Sequence, residues 1–173
     1  MQTRNVLFLC THNSARSILA EAILNAKGGN RYRAFSAGSF PKTAPNPLAL
    51  KLLAKNGHPT EHLRSKSWEE FARPEAPQMH IVITVCDNAA GETCPIWPGR
   101  PATAHWGISD PSALDGDETI RARAFERAYS QLEQRIDRLL ALPAEPGGEA
   151  FTQALRRIGS SSDGATLRAK SSA

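Results

Sequence analysis

Cys10 and Arg16 bracket five small or polar residues, Thr11-His12-Asn13-Ser14-Ala15, and Ser17 comes directly after. A thiolate is a strong nucleophile at neutral pH, and a guanidinium is a planar fork that grips two oxygens at once. The segment leaves an apolar run and enters a helical pattern. Such a strand–loop–helix converges backbone N–H groups on one spot, backed by the helix dipole. That spot suits a tetrahedral oxyanion held over the sulfur, with Thr11, His12, Asn13, Ser14, Ala15, Arg16 and Ser17 as the oxyanion-binding residues. In such a field the Cys10 thiol is expected to drop from about 8.5 into roughly 3.5–7.5.

Spacing alone is weak support, since three cysteines and fifteen arginines give roughly a one-in-four expectation of some Cys-x5-Arg. A second copy does occur, Cys94-Pro-Ile-Trp-Pro-Gly-Arg100. It fails physically: Pro95 and Pro98 have no N–H to offer, and no amphipathic helix comes after it. A nucleotide-binding loop is excluded, because the Gly-rich pattern ending in Lys-Ser/Thr is missing. The other two thiols, Cys86 and Cys94, make no C-x2-C pair, and His80 and His105 have no ligand-like spacing, so no metal is assigned.

The elements that must position these groups are legible as an alternation of strands and helices. Asn5–Cys10 and His80–Cys86 are apolar on both faces, the pattern of buried parallel strands. Arg31–Ala37 and the weaker Pro101–Trp106 are further strands. Helices are expected over Ser17–Lys27, Asn46–Lys55 and Glu118–Leu142, the last ended by Pro143. The fold class is α/β: an open, doubly wound parallel sheet of about four strands flanked by helices. Residues 1–143 read as the catalytic domain, and 144–173 as an extension with a short helix at Phe151–Ile158 and a disordered tail.

Composition narrows the partners. The 173 residues are 40% hydrophobic with a net charge of +4, and basic residues are spread rather than clustered, so neither nucleic acid nor a membrane surface is expected. The longest apolar runs are too short to span a bilayer, and no leader pattern opens the chain, so a cytoplasmic location is expected. An odd cysteine count without an export signal argues against a disulfide framework.

The combination of Asn5–Cys10, the loop Cys10–Ser17 and the helix opening Ile18-Leu19-Ala20-Glu21-Ala22 resembles the low-molecular-weight tyrosine phosphatase fold, and within it the thiol-dependent arsenate reductases. Phe35–Ser39, Val85-Cys86-Asp87, Cys94-Pro95 and His105-Trp106-Gly107 through Asp110-Pro111 carry the same likeness. The resemblance implies that Cys10 attacks arsenic, that Arg16 and the loop N–H groups hold the remaining oxygens, and that Asp110 protonates the leaving oxygen. For that task the carboxyl is expected to be raised near bound substrate. It further implies that Asn13 ties the loop down, that Ser17 hydrogen-bonds the thiolate, and that Cys86 and then Cys94 resolve the adduct, ending in a Cys86–Cys94 disulfide. His12 is expected to be exposed and to tune the local field.

No bound cofactor is implied. An external reductant is, either thioredoxin or glutathione with glutaredoxin, with phosphate or sulfate as competing ligands. Some members of the family bind potassium through residues matching Asn13, Glu21 and Ser36; here Lys66 falls where an acidic ligand is wanted, and its ammonium could fill the role. Two other readings compete. A tyrosine phosphatase would hydrolyse phosphate monoesters through a Cys10 thiophosphate, although Ser112-Ala113-Leu114 lacks the aromatic residues such enzymes carry after Asp-Pro. A non-catalytic oxyanion binder or redox sensor would use the same acidified thiol.

Overall fold

The computed structural model describes residues 2–86, 95–143 and 148–160. Four strands, β1 (Arg4–Cys10), β2 (Tyr32–Gly38), β3 (Ile81–Thr84) and β4 (Ala102–His105), form one sheet in the order β2-β1-β3-β4. Every pairing is parallel. β1 is central, and its last five residues, Val6–Cys10, are all buried because both faces are covered. Val6, Phe8 and Cys10 point into the larger core, while Leu7 and Leu9 point into the smaller one.

Helix α1 (Arg16–Lys27), α2 (Pro47–Lys55), α3 (Glu118–Leu140) and α4 (Gly148–Ser160) supply the larger core. α2 starts as its sequence dictates: the Asn46 side chain accepts from Leu48 N–H, and Pro47 takes the first helical position. Asp117 caps α3 in the same way through Ile120 N–H. The α3 stripe Phe125, Ala128, Leu132, Ile136 and Leu139 is buried at the expected three- and four-residue steps. The other face is covered by a 3-10 turn at Trp68–Phe71 with Met79 and Trp97. Phe8 and Trp106, both fully buried with ring centroids 6.1 Å apart, centre the larger core; Phe8→Ala there costs about 3–5 kcal/mol.

The expected C-terminal helix is longer than its apolar residues suggested, running over Gly148–Ser160 rather than Phe151–Ile158. Its Phe151, Leu155 and Ile158 join the same core as α1 and α3. The tail beyond residue 160 lies outside the described residues, as do Asp87 and Cys94.

Strand order reverses between β1 and β3: the chain moves from β1 outward to β2, then returns to the other side of β1. The crevice beyond the carboxyl ends of β1 and β3 is therefore the switch point of the sheet, where α/β folds bind ligands. Cys10 ends one of these strands, and Cys86 lies two residues past the end of the other.

Candidate active site

The loop after β1 is shaped by where its carbonyls go. Thr11 O accepts from Phe40 N–H at 2.9 Å, His12 O from Lys42 N–H at 3.0 Å, and Ser14 O from Asn46 N–H at 2.8 Å. Asn13 O accepts from the Ser65 hydroxyl at 2.7 Å. A trans peptide points its N–H opposite to its C=O. Four successive carbonyls drawn outward therefore turn the N–H groups of His12, Asn13, Ser14 and Ala15 toward the other side. α1 begins directly after, with no side-chain cap at Ala15 and no acid in its first turn. Its amino end keeps its positive potential for a ligand. Gly38, closing β2, lets the loop lie this close: a Cβ there would stand 2.8 Å from Cys10 O and nearer still to Thr11 O.

Asn13 holds the loop from below. It is fully buried with φ +46°, a left-handed conformation that asparagine tolerates better than most residues. Its Oδ1 accepts from Lys66 N–H at 2.9 Å, which fixes the amide so that both Nδ2 hydrogens face Ser17 Oγ (2.7 Å) and Ser36 Oγ (3.0 Å). Ser36 in turn donates to Glu21 Oε1. Because Ser17 Oγ accepts from Asn13, its own proton is available to Cys10 Sγ, 3.2 Å away. Donation thus runs outward from the Asn13 amide in two directions, through Ser36 to the buried Glu21 carboxylate and through Ser17 to the nucleophile.

Lys66 completes this underside. Its side chain is 8% exposed, and its ammonium lies 2.9 Å from Arg64 O, 3.4 Å from Ser36 Oγ and 3.7 Å from Glu21 Oε1. Burial pulls its pKa down, and the Glu21 carboxylate opposes that. An ammonium already stands among Glu21 and Ser36, so these residues do not fit an added potassium ion, which would meet a like charge.

Arg16 reaches across the mouth of the loop. One Nη donates to Ile108 O at 2.9 Å, and the other lies 3.6 Å from Asp110 Oδ2. Asp110 caps a short 3-10 turn at Pro111–Ala113, with Ser112 donating to Oδ1 from both its N–H (2.9 Å) and its hydroxyl (2.7 Å). Burial raises the Asp110 carboxyl, but the two Ser112 bonds, with Arg16 and Lys42, outweigh it and leave the group below its ordinary value. Turn chemistry at Ser112 wins over desolvation. The raised carboxyl is expected beside bound substrate, whose negative charge would push it up.

Cys86 is 2% exposed and lies against the loop. Its Sγ is 3.6 Å from Oγ1 of Thr11, the residue next to Cys10. The neighbouring Cys86 thiol and burial raise Cys10 well above its ordinary value, while the Ser17 hydroxyl pulls the other way. The expected acidified thiol is thus corrected for the reduced pair, because a second buried thiol stands beside the first. His12 is exposed, with Nδ1 3.1 Å from Phe40 O.

The structure brings Cys10, Asn13, Arg16, Ser17, Cys86 and Asp110 to one crevice; Cys94 lies outside the described residues. Sequence reasoning missed the Phe40, Lys42 and Asn46 amides that pull the loop carbonyls outward, and the Ile108 carbonyl that anchors Arg16. Backbone donors and acceptors leave no trace in residue type. Among the described residues, no group of three His, Cys, Asp or Glu could hold a metal, and no helix is long and apolar enough to cross a membrane.

A buried thiol thus stands under a loop whose N–H groups turn inward, closed by an arginine at the switch point of a parallel sheet. The family model for low molecular weight phosphotyrosine protein phosphatase matches residues 5–153, and the chain belongs to that family. The arsenate reductase of Bacillus licheniformis is 31% identical over 139 residues, covering 80% of this chain and 96% of that protein. Among solved structures, a thioredoxin-dependent arsenate reductase of Corynebacterium glutamicum is 26% identical with a TM-score of 0.53, over 77% of this chain and 60% of that one. A low-molecular-weight protein tyrosine phosphatase from T. tengcongensis shares the fold, with a TM-score of 0.65 at 24% identity over 80% of this chain and 98% of that one.

Proposed function

We propose that this protein reduces arsenate to arsenite. The observation that carries the reading is the second thiol: Cys86 is buried against the anion loop, its Sγ 3.6 Å from Oγ1 of Thr11, the residue next to Cys10. A phosphatase needs one cysteine, because water resolves its thiophosphate. A reductase needs a partner thiol within reach of the first.

Arsenate enters the loop with its oxygens facing the N–H groups of His12–Ala15 and the guanidinium of Arg16. Cys10 loses its proton as Sγ attacks arsenic, an As–S bond forms, and one oxygen leaves as water. Asp110, beside Arg16, passes the proton once the bound anion has raised its carboxyl. Arsenic is still As(V) in this adduct. Cys86 then attacks Cys10 Sγ: the S–S bond forms, the As–S electron pair stays on arsenic, and arsenite departs as As(III). Two thiols have given two electrons. Cys94 next attacks Cys86, freeing Cys10 and leaving a Cys86–Cys94 disulfide for an external dithiol. Thioredoxin is the favoured donor, because the C. glutamicum relative is thioredoxin-dependent; glutathione with glutaredoxin is the alternative.

Selectivity over phosphate comes from chemistry rather than shape, since only As(V) accepts the electron pair. The test is arsenite formation by purified protein with thioredoxin, thioredoxin reductase and NADPH, run beside glutathione with glutaredoxin. Multiple turnovers in either arm are expected. Hydrolysis of a phosphate ester with no arsenite in either arm would replace this reading with the phosphatase one.

A further inference from the structure

Helix α4 presses on the root of the segment that holds Arg16. The fully buried Trp106 stands directly after β4, and its indole N–H donates to Leu155 O, inside α4, at 3.0 Å. One turn further along, Gly159 faces the same spot. A Cβ there would overlap the His105 carbonyl oxygen and stand 2.6 Å from Trp106 Cδ1. The nearest atom is a backbone carbonyl oxygen, which cannot swing aside, so only glycine allows this approach. Arg156 adds a bond from Nε to Thr103 O at 3.2 Å.

Beyond Trp106 the chain runs straight into the arginine anchor. Trp106 N–H donates to Thr84 O at 2.7 Å and Ile108 N–H to Val85 O at 3.0 Å, lacing the segment to the end of β3. Arg135 donates to Gly107 O at 3.0 Å. Ile108 O holds Arg16, and Asp110 stands beyond it. The B. licheniformis relative is matched over 96% of its length by 80% of this chain, so about a fifth of this chain lies outside that match.

We propose that α4 is a brace for the anion site, with Trp106 and Gly159 as positioning residues. By fixing His105–Trp106 it fixes where the Ile108 carbonyl stands, and hence the direction in which the Arg16 fork faces. The hydrogen bonds that join α4 to this segment run through Trp106 and Thr103, on the arginine side of the site, so the brace governs oxyanion affinity rather than thiol reactivity. This role rests on the oxyanion reading of the loop and not on arsenate as the substrate.

The experiment uses full-length protein and inorganic phosphate as the probe. Phosphate affinity is read from protection of Cys10 against iodoacetamide, well below the melting temperature of each variant. Gly159→Val should weaken phosphate binding about ten-fold, what a charged hydrogen bond out of line costs. The unprotected alkylation rate should stay within about two-fold of the parent. Trp106→Phe, which keeps a buried ring and removes the N–H, should move affinity the same way by a smaller factor; it carries the test if Gly159→Val does not fold. Parent-like phosphate affinity in the folded variants overturns the brace. A parent protein that binds no phosphate overturns the anion-site reading instead, and the brace with it.

Discussion

Replacing Asn13 by alanine removes the point on which the loop turns, and the loss can be worked from its contacts. The side chain makes three hydrogen bonds, to Ser17 Oγ, Ser36 Oγ and Lys66 N–H, all in the buried underside of the loop. At about 1 kcal/mol net each, they amount to about 3 kcal/mol. Alanine must also hold φ near +46°, which adds about 1–2 kcal/mol that asparagine largely escapes. The expected loss is therefore about 4 kcal/mol, a large share of the ~5–15 kcal/mol that keeps a domain folded. Asn13→Gly removes the same bonds without the left-handed strain, and should fall between alanine and the parent. Urea denaturation monitored by tryptophan fluorescence measures both, and the order parent, glycine, alanine is the signature. An alanine variant within about 1 kcal/mol of the parent would refute the claim that this network sets the loop.

The other predictions bear on the charges and thiols. Cys86→Ala removes the neighbouring thiol that raises Cys10 most, so the pH midpoint of Cys10 alkylation by iodoacetamide should move down; an unchanged or higher midpoint contradicts that influence. Lys66→Met leaves Glu21 buried without its ion partner and should destabilise by about 3–5 kcal/mol at neutral pH. Urea denaturation at neutral pH measures the loss, and a variant within about 1 kcal/mol of the parent contradicts the buried ion pair. Arg16→Lys keeps the charge but loses the fork, and steady-state kinetics should show kcat/KM for arsenate down by about ten-fold or more.

Much of the fold was legible because two-sided burial writes itself into sequence. Val6–Cys10 has no polar residue, since β1 is covered on both faces, and Asn46-Pro47 announces α2 by its cap. The candidate nucleophile and its arginine were legible for a related reason: small, proline-free residues between them are what a loop of converging N–H groups requires. What was not legible depends on neighbours remote in the chain. Cys10 reads as acidified until Cys86 is seen buried beside it, and nothing at Asp110 announces the two Ser112 bonds that lower its carboxyl. Gly159 reads as the start of a polar tail, because a glycine after an apolar stripe usually stops a helix. Here it lies within the helix, and its missing Cβ makes room for His105 and Trp106.

The register of one strand pair explains how a phosphatase scaffold can carry a reductase. Val6 pairs with Ile81 and Leu9 with Thr84, so β3 ends level with β1, and Val85 N–H donates to Leu9 O to continue the match. Parallel strands in register bring the residues just past their carboxyl ends to one crevice. A cysteine two positions beyond Thr84 therefore meets the loop that Cys10 opens, without any change to the loop itself. The same neighbour, with burial, raises the resting Cys10 thiol. On the mechanism proposed above, an arriving anion would have to offset that rise, and the positive field of Arg16 and the α1 amino end is what the anion and the emerging thiolate would share.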